Sequence, residues 1–90
     1  LNNAVKLNPS YAKGYNDLGM IYGQLGVFNA SLNAFKKAIE LEPDYGDAHY
    51  NLGILYEFLG ERSLALKELR IAASLEPKNE LYKRKLGEVI

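Results

Sequence analysis

The sequence predicts an all-α protein built from a repeated pair of helices, and three observations lead to that prediction. Residues 46–79 repeat residues 12–45 at a spacing of 34 residues, with ten identical positions. Pro9, Pro43 and Pro77 recur at the same spacing, which fixes the period independently. The apolar residues of each repeat are spaced by three or four, as in a helix, and no stretch alternates as a strand does. Such a period indicates an array of stacked repeats.

The period also gives the domain organisation. We expect one domain over residues 1–90, in which residues 1–11 end a preceding repeat, residues 12–45 and 46–79 are complete repeats, and residues 80–90 begin a further one. Because the chain opens in mid-repeat, we expect it to be a piece of a longer array. Each repeat buries its apolar face on its neighbours, which makes a small domain of this kind feasible.

The first part of the chain is predicted to contain three helical segments. Residues 1–8 form the last turns of a helix that stops before Pro9, since a residue that precedes proline avoids the helical region. Ser10 is the expected N-cap of a helix over residues 11–25, and Gly26 is expected to end it in the left-handed conformation. A partner helix follows over residues 29–41. The predicted inward residues are Tyr15, Leu18, Ile21, Tyr22, Leu25, Leu32, Phe35, Ala38, Ile39 and Leu41.

The second repeat follows the same scheme. Asp44 is the expected N-cap of a helix over residues 46–59, and Gly60 is expected to end it as Gly26 does. Further helices are predicted over residues 63–75 and 80–90, the last with Asn79 as its N-cap. The inward residues of the 46–59 helix are His49, Leu52, Leu55, Tyr56 and Leu59.

Small residues predict how the two helices of a repeat pack. Gly19 and Gly53 lie within helices, where glycine is unfavourable by about 0.8–1 kcal/mol relative to alanine, so a packing role is expected. Ser31 and Ala65 follow twelve residues later, and an antiparallel pair brings these small positions together. The Ser31 hydroxyl is expected to bond the carbonyl four residues back.

Composition excludes several classes of function. The net charge is zero, with six acids and no Lys or Arg in residues 38–61 and seven bases against three acids in residues 62–85. A chain with this charge distribution is not expected to have the extended basic face that nucleic-acid binding needs. No apolar run is long enough for insertion into a membrane. There is no cysteine, so the compartment stays open, with a cytoplasmic one as the default expectation.

Residues able to perform catalysis are sparse, and we expect no catalytic, cofactor or metal site. His49 is the one histidine and falls on the inward face of its helix, so we expect a core role. The acids Glu40, Glu42, Asp44 and Asp47 straddle a helix end without the spacing of a metal loop. The glycines are not followed by the Lys-Ser or Lys-Thr of a phosphate loop.

At a spacing of 34 residues, Tyr15, Leu18, Gly19 and Tyr22 are followed by Phe35, Ala38 and Pro43. This pattern resembles the tetratricopeptide repeat. The second copy consists of His49, Leu52, Gly53, Tyr56, Ala65, Leu69, Ala72 and Pro77. The chain departs from the pattern at Ser31, His49, Lys83 and Ile90, so the last helix is either the start of a further repeat or a polar-backed cap.

The resemblance implies a right-handed α-solenoid of antiparallel helix pairs, about five helices in all, whose first helices line a concave groove for a peptide or partner helix. By position, the implied groove residues are Lys13, Asn16, Asp17, Met20, Gln24, Asp47, Tyr50, Asn51, Ile54, Glu57, Phe58, Leu81, Arg84, Lys85 and Glu88. Tyr50, Ile54 and Phe58 fall outside the packing set, which favours a binding surface. The alternative is that Tyr50 and Phe58 merely cover neighbouring helices.

The resemblance therefore implies a non-catalytic module that binds a protein or peptide. The family members that clamp the C-termini of chaperones match this chain only at Asn51 and Lys85, too few donors for that role. One alternative is a homo-oligomer through exposed terminal helices, with Leu1, Ala4, Val5 and Leu7 at one end and Leu86, Val89 and Ile90 at the other. Another is a substrate-recruiting arm of an enzyme that lies outside these residues.

Overall fold

A computed structural model describes residues 9–90 of the chain. This part contains five helices and no strand: α1 (Pro9–Leu25), α2 (Phe28–Leu41), α3 (Gly46–Phe58), α4 (Arg62–Leu75) and α5 (Glu80–Val89). The all-α solenoid is thereby confirmed. The helical tail predicted for residues 1–8, and the end face formed by Leu1, Ala4, Val5 and Leu7, lie outside the described residues. None of the five helices is both long and apolar enough to cross a membrane.

One glycine turn joins the two helices of each pair. Gly26 and Gly60 have φ values of 79° and 85°, which only a residue without Cβ adopts easily. In the first turn the Val27 N–H bonds the Tyr22 carbonyl at 2.9 Å, and in the second the Glu61 N–H bonds the Tyr56 carbonyl at 2.8 Å. These bonds satisfy carbonyls at the helix C-termini. Both predicted stops are confirmed.

The helix starts agree less well with the sequence analysis. Asn79 caps α5 as predicted, because its Oδ1 accepts the Tyr82 N–H at 3.2 Å. Asp44 is not a cap: Tyr45 occupies the N-cap position of α3, and no side chain forms a capping hydrogen bond there. The prediction for Ser10 is also wrong, because α1 already begins at Pro9. Proline suits a first helical position, where its missing N–H has no partner to lose.

Close packing within each pair depends on the two mid-helix glycines. A Cβ on Gly19 would lie 2.5 Å from Cε1 of Phe35, and one on Gly53 would lie 2.8 Å from Cγ of Leu69 and 3.3 Å from the Ala65 carbonyl. The glycines therefore let the paired helices approach closely, as predicted. The Ser31 hydroxyl, however, donates to the Gly19 carbonyl across the pair at 2.6 Å, not to the carbonyl four residues back. The antiparallel packing brings this carbonyl within reach.

The core is centred on α3, which packs against both α2 and α4. Its buried cluster is Phe35, Leu52, Leu55, Tyr56, Ala65, Leu69 and Val89. On α1 the inward prediction is largely wrong, because Leu18, Ile21 and Leu25 are exposed and the two tyrosines are half-buried. Leu59 is also exposed at the turn after α3. At the other end Val89 is buried and Leu86 half-buried, so the predicted C-terminal face reduces to Ile90.

Candidate functional site

The first helices of successive repeats, α1, α3 and α5, meet along one face of the array. Polar contacts join them at a separation of 35 residues: Asn51 Nδ2 donates to Asn16 Oδ1 at 3.0 Å, and the Tyr82 hydroxyl donates to Asp47. The separation equals one repeat plus one residue. Neighbouring first helices are thus held side by side, and two hollows lie on this face.

The first hollow, here the apolar hollow, has a volume of about 360 Å³ between α1, α2 and α3. Gly19, Gly23 and Ser31 leave room for it because their side chains are small or absent. Aromatic and aliphatic side chains supply most of the remaining wall. Its full lining is Gly19, Met20, Gly23, Gln24, Phe28, Ser31, Phe35, Asn51, Ile54, Leu55 and Phe58.

The second hollow, here the polar hollow, has a volume of about 370 Å³ between α1, α3 and the start of α5. Its lining is Lys13, Asn16, Asp17, Met20, Tyr45, Asp47, Tyr50, Asn51, Asn79, Leu81 and Tyr82. Met20 and Asn51 line both hollows, so the two adjoin. Together they form one groove with an apolar and a polar half.

Most of the residues assigned to a groove by position come together here. The apolar hollow takes Met20, Gln24, Asn51, Ile54 and Phe58, and the polar hollow takes Lys13, Asn16, Asp17, Met20, Asp47, Tyr50, Asn51 and Leu81. Glu57, Arg84, Lys85 and Glu88 line neither hollow. Lys85 Nζ instead lies 2.7 Å from Glu57 Oε1 and 3.5 Å from Glu88 Oε1. The bond to Glu57 holds the pKa of Lys85 above its ordinary value.

Tyr50 and Phe58, the two aromatic residues proposed as binding anchors, differ in their exposure to solvent. Tyr50 is half-buried and stacks on Tyr82, with ring centroids 4.8 Å apart and an interplanar angle of 26°. It covers a neighbouring helix, as the alternative interpretation held. Phe58 contacts Phe28 at a centroid distance of 5.2 Å, yet it remains 71% exposed. Phe58 therefore keeps the free apolar surface that an anchor needs.

Several lining residues were not identified from the sequence. Tyr45 and Asn79 come from the turns before α3 and α5, and Phe28 and Gly23 come from around the turn that joins α1 to α2. Tyr82 lies one residue before Lys83, the position that follows His49 by one 34-residue repeat. A search for polar pairs 35 residues apart would have found its contact with Asp47 and also the amide pair of Asn16 and Asn51.

Carboxylates dominate the electrostatics of the polar hollow. Lys13 Nζ lies 3.4 Å from Asp17 Oδ2, so one of the two carboxylates has a cationic partner. Burial raises the pKa of the Tyr45 hydroxyl, and Asp47 raises it further. Burial and the bond to Asp47 raise the pKa of Tyr82 strongly. Both hydroxyls therefore stay protonated at neutral pH, and the hollow carries a net negative charge.

His49 lies outside both hollows and is buried, as predicted. Its Nδ1 lies 2.7 Å from Glu68 Oε1 and its Nε2 lies 2.8 Å from the Pro43 carbonyl oxygen. A carboxylate and a carbonyl only accept hydrogen bonds, so both contacts are satisfied when the ring carries two protons. Burial alone would lower the pKa of His49, but these two bonds and the charge of Glu68 raise it overall. The residue ties α3 to α4 and to the preceding turn.

Within residues 9–90, no group of three or more His, Asp, Glu or Cys side chains is arranged to hold a metal ion. The acids around the turn before α3 serve other purposes. Asp47 accepts the Tyr82 hydroxyl, and Asp44 contributes to the field at His49.

Two family models match the chain. One, described as a TPR repeat, matches residues 21–60, and the other, described as a tetratricopeptide repeat, matches residues 46–79. The chain belongs to the tetratricopeptide-repeat family. Tetratricopeptide repeats generally mediate protein–protein interaction, and this chain has the helix pairs, glycine turns and 34-residue period of that family.

Solved structures agree with this assignment. The chain is similar to two crystal structures of MamA, each with a TM-score of 0.84. The sequence identities are 28% and 26%, over 92% and 98% of this chain. The chain spans about half the length of these MamA chains, 48% and 52% respectively. No curated protein sequence matches the chain.

Proposed function

We propose that this chain is a non-catalytic interaction module that binds a peptide or partner helix in the groove formed by α1, α3 and α5. The observation that carries the proposal is the apolar hollow, with Phe58 71% exposed and Met20 46% exposed at its edge. Exposed apolar side chains around a concave surface are typical of protein-binding sites. Binding would remove this surface from water.

The arrangement also favours binding energetically. Phe58 is held against Phe28, so it loses little conformational freedom when a ligand covers it. The amide group of Asn51, which donates to the buried Asn16, lies beside the apolar surface, where a peptide backbone needs hydrogen-bond partners. An apolar anchor site bordered by fixed polar groups is the usual composition of such a surface.

The proposal is tested by selection from a random library of displayed peptides, followed by affinity measurement with the selected peptides in fluorescence polarisation. Phe58→Ala and Met20→Ala are each expected to weaken binding about tenfold or more, as truncation of an interface anchor does. Leu64→Ala is the matched control, because Leu64 is an exposed apolar residue on α4 outside both hollows. Peptides that bind all variants equally, or a library that yields no binder, would refute the proposal.

A second candidate function is self-assembly, which a stripe on α1 favours. Tyr11, Leu18, Ile21 and Leu25 are exposed along that helix. Such a stripe could stack on the surface around Ile90 of another copy, forming a head-to-tail contact. Light scattering over about 10 μM to 1 mM would detect growth of the mass, which Ile21→Glu should abolish. A constant monomer mass would exclude this candidate.

A further inference from the structure

We propose that the groove selects a peptide with a bulky apolar residue and, about three residues away, a lysine or arginine. The apolar residue would occupy the apolar hollow and the basic residue the polar hollow. This inference rests on the proposed function, because it assigns the chemistry of the ligand to the same groove.

The floor of the apolar half offers no free polar group. Its floor is formed by Gly19, Gly23 and Ser31, and the one hydroxyl among them is already bonded to the Gly19 carbonyl at 2.6 Å. A polar side chain seated on this floor would lose its water without gaining a partner from it, which is unfavourable. The polar side chains of the lining, Gln24 and Asn51, do not belong to the floor. Met20 and Phe58 complete the wall with flexible and aromatic surface that adapts to an apolar side chain.

The polar half favours a cation. It holds the carboxylates of Asp17 and Asp47 against one ammonium group, that of Lys13. Lys13 pairs with Asp17, so Asp47 has only the Tyr82 hydroxyl as its partner among residues 9–90. A basic side chain would neutralise the charge of Asp47, whereas an acidic one would be repelled by the two carboxylates.

The spacing follows from α3, which borders both hollows. Asp47 and Ile54 are seven residues apart on this helix, so they are separated by about 10 Å at 1.5 Å per residue. An extended peptide covers that distance in about three residues. Asn51 lies between them and lines both hollows. Its second amide hydrogen and its carbonyl have no partner among residues 9–90, so they can bond the peptide backbone.

The test reads residue preferences from peptides selected by the unmodified chain out of the random displayed library. Selected peptides should be enriched in a bulky apolar residue and a Lys or Arg about three positions apart. The affinity of a selected peptide should fall about tenfold or more in Gly23→Leu, which fills the apolar hollow, and severalfold in Asp47→Asn. Asn keeps an oxygen for the Tyr82 hydroxyl, so Asp47→Asn removes the charge without removing that bond.

Matched controls separate local from general effects. Gly14→Leu makes the same change on α1 where nothing lies within 4 Å, and Asp44→Asn makes the same charge change outside both hollows. Both should bind within about twofold of the unmodified chain, and thermal denaturation would verify that all variants fold.

The outcomes also distinguish this inference from the proposed function. The inference would be overturned by selected peptides that no longer bind Gly23→Leu but carry no basic residue. It would also be overturned by peptides that bind Asp47→Asn as well as they bind the unmodified chain. Either result would leave the groove as a binding site. Binding that Gly23→Leu leaves unchanged would overturn both. Affinity for a basic peptide should also fall as salt increases.

Discussion

The helices α1 and α3 carry matching residues 34 positions apart, yet they are buried to different extents. Leu18 is 43% exposed and its counterpart Leu52 is 2% exposed. Ile21 is 50% exposed, whereas Leu55 is 7% exposed. Among the described helices, α3 packs between α2 and α4, while α1 packs mainly on α2. Burial in this fold is therefore a property of the neighbours of a helix and not of its residues alone.

The largest expected difference between the helices comes from the paired leucines. Leu52→Ala should lower the free energy of unfolding by about 2–5 kcal/mol, because it leaves a cavity in the core. Leu18→Ala should lower it by less than about 1 kcal/mol, since much of that side chain already contacts water. Urea denaturation of both variants measures the difference. Equal losses would show that α1 has a partner for this face in solution.

The mid-helix glycines should respond alike, because both helices use the same close approach. Gly19→Ala and Gly53→Ala would each press a Cβ against a buried side chain. Overpacking of about 1–3 kcal/mol should outweigh the gain of about 1 kcal/mol in helix propensity. Gly14→Ala is the control and should stabilise, since its Cβ meets nothing within 4 Å. Stabilisation at Gly19 or Gly53, measured by thermal denaturation, would contradict the packing.

The two helix pairs differ in polarity at one equivalent position, which is Ser31 in the first pair and Ala65 in the second. Ser31→Ala removes the bond to the Gly19 carbonyl and should lower the free energy of unfolding by about 0.5–1.5 kcal/mol. The backbone should tolerate this change, because alanine fills the equivalent place at Ala65. Ser31→Gly would additionally lower helix propensity by about 1 kcal/mol. A Ser31→Ala variant more stable than the unmodified chain would show that the hydroxyl is strained.

The smallest expected effect is a dependence on pH at His49, where α1 has Tyr15 instead. The pKa of His49 is raised in the folded state, so its contribution to stability is complete below the unfolded value of about 6.5. That contribution should be lost as the pH rises through the folded value. Glu68 of α4 and Asp44 of the preceding turn are the acids that favour the charged ring.

Glu68→Gln should reduce this dependence, because the amide keeps an acceptor oxygen but removes the charge. Denaturation midpoints measured from about pH 5 to pH 8 would reveal it. A midpoint that rises with pH over this range, with a rise that the His49→Gln variant lacks, would contradict the charged pair.

Much of the fold could be predicted, because the features that determine it are local. The left-handed turns need glycine, and Gly26 and Gly60 supply it at the same place in each repeat. The cap at Asn79 was also predictable from its position. Asp44 was misassigned because a polar residue near a helix start is a cap only if the chain direction brings its oxygen to the first turn.

The site was less accessible to sequence reasoning because it depends on contacts between repeats. Register assigned Lys13, Asp17 and Ile54 to the groove, and each of them lines one of the two hollows. It could not show that Tyr50 is covered by Tyr82 while Phe58 stays exposed. It also could not show that Ser31 bonds across its helix pair, since that requires knowing how far apart the helices lie.

Contacts between near neighbours along the chain have a consequence for folding and hydrogen exchange. Each described helix packs on helices no more than one repeat away, so formation of structure needs only short loops to close. The array can open from α1 while α3 and α4 remain folded, and amide protons of α1 should exchange first. A ligand bound between α1 and α3 would couple the opening of α1 to that of α3. It would therefore slow amide hydrogen exchange throughout α1, including turns that it does not touch.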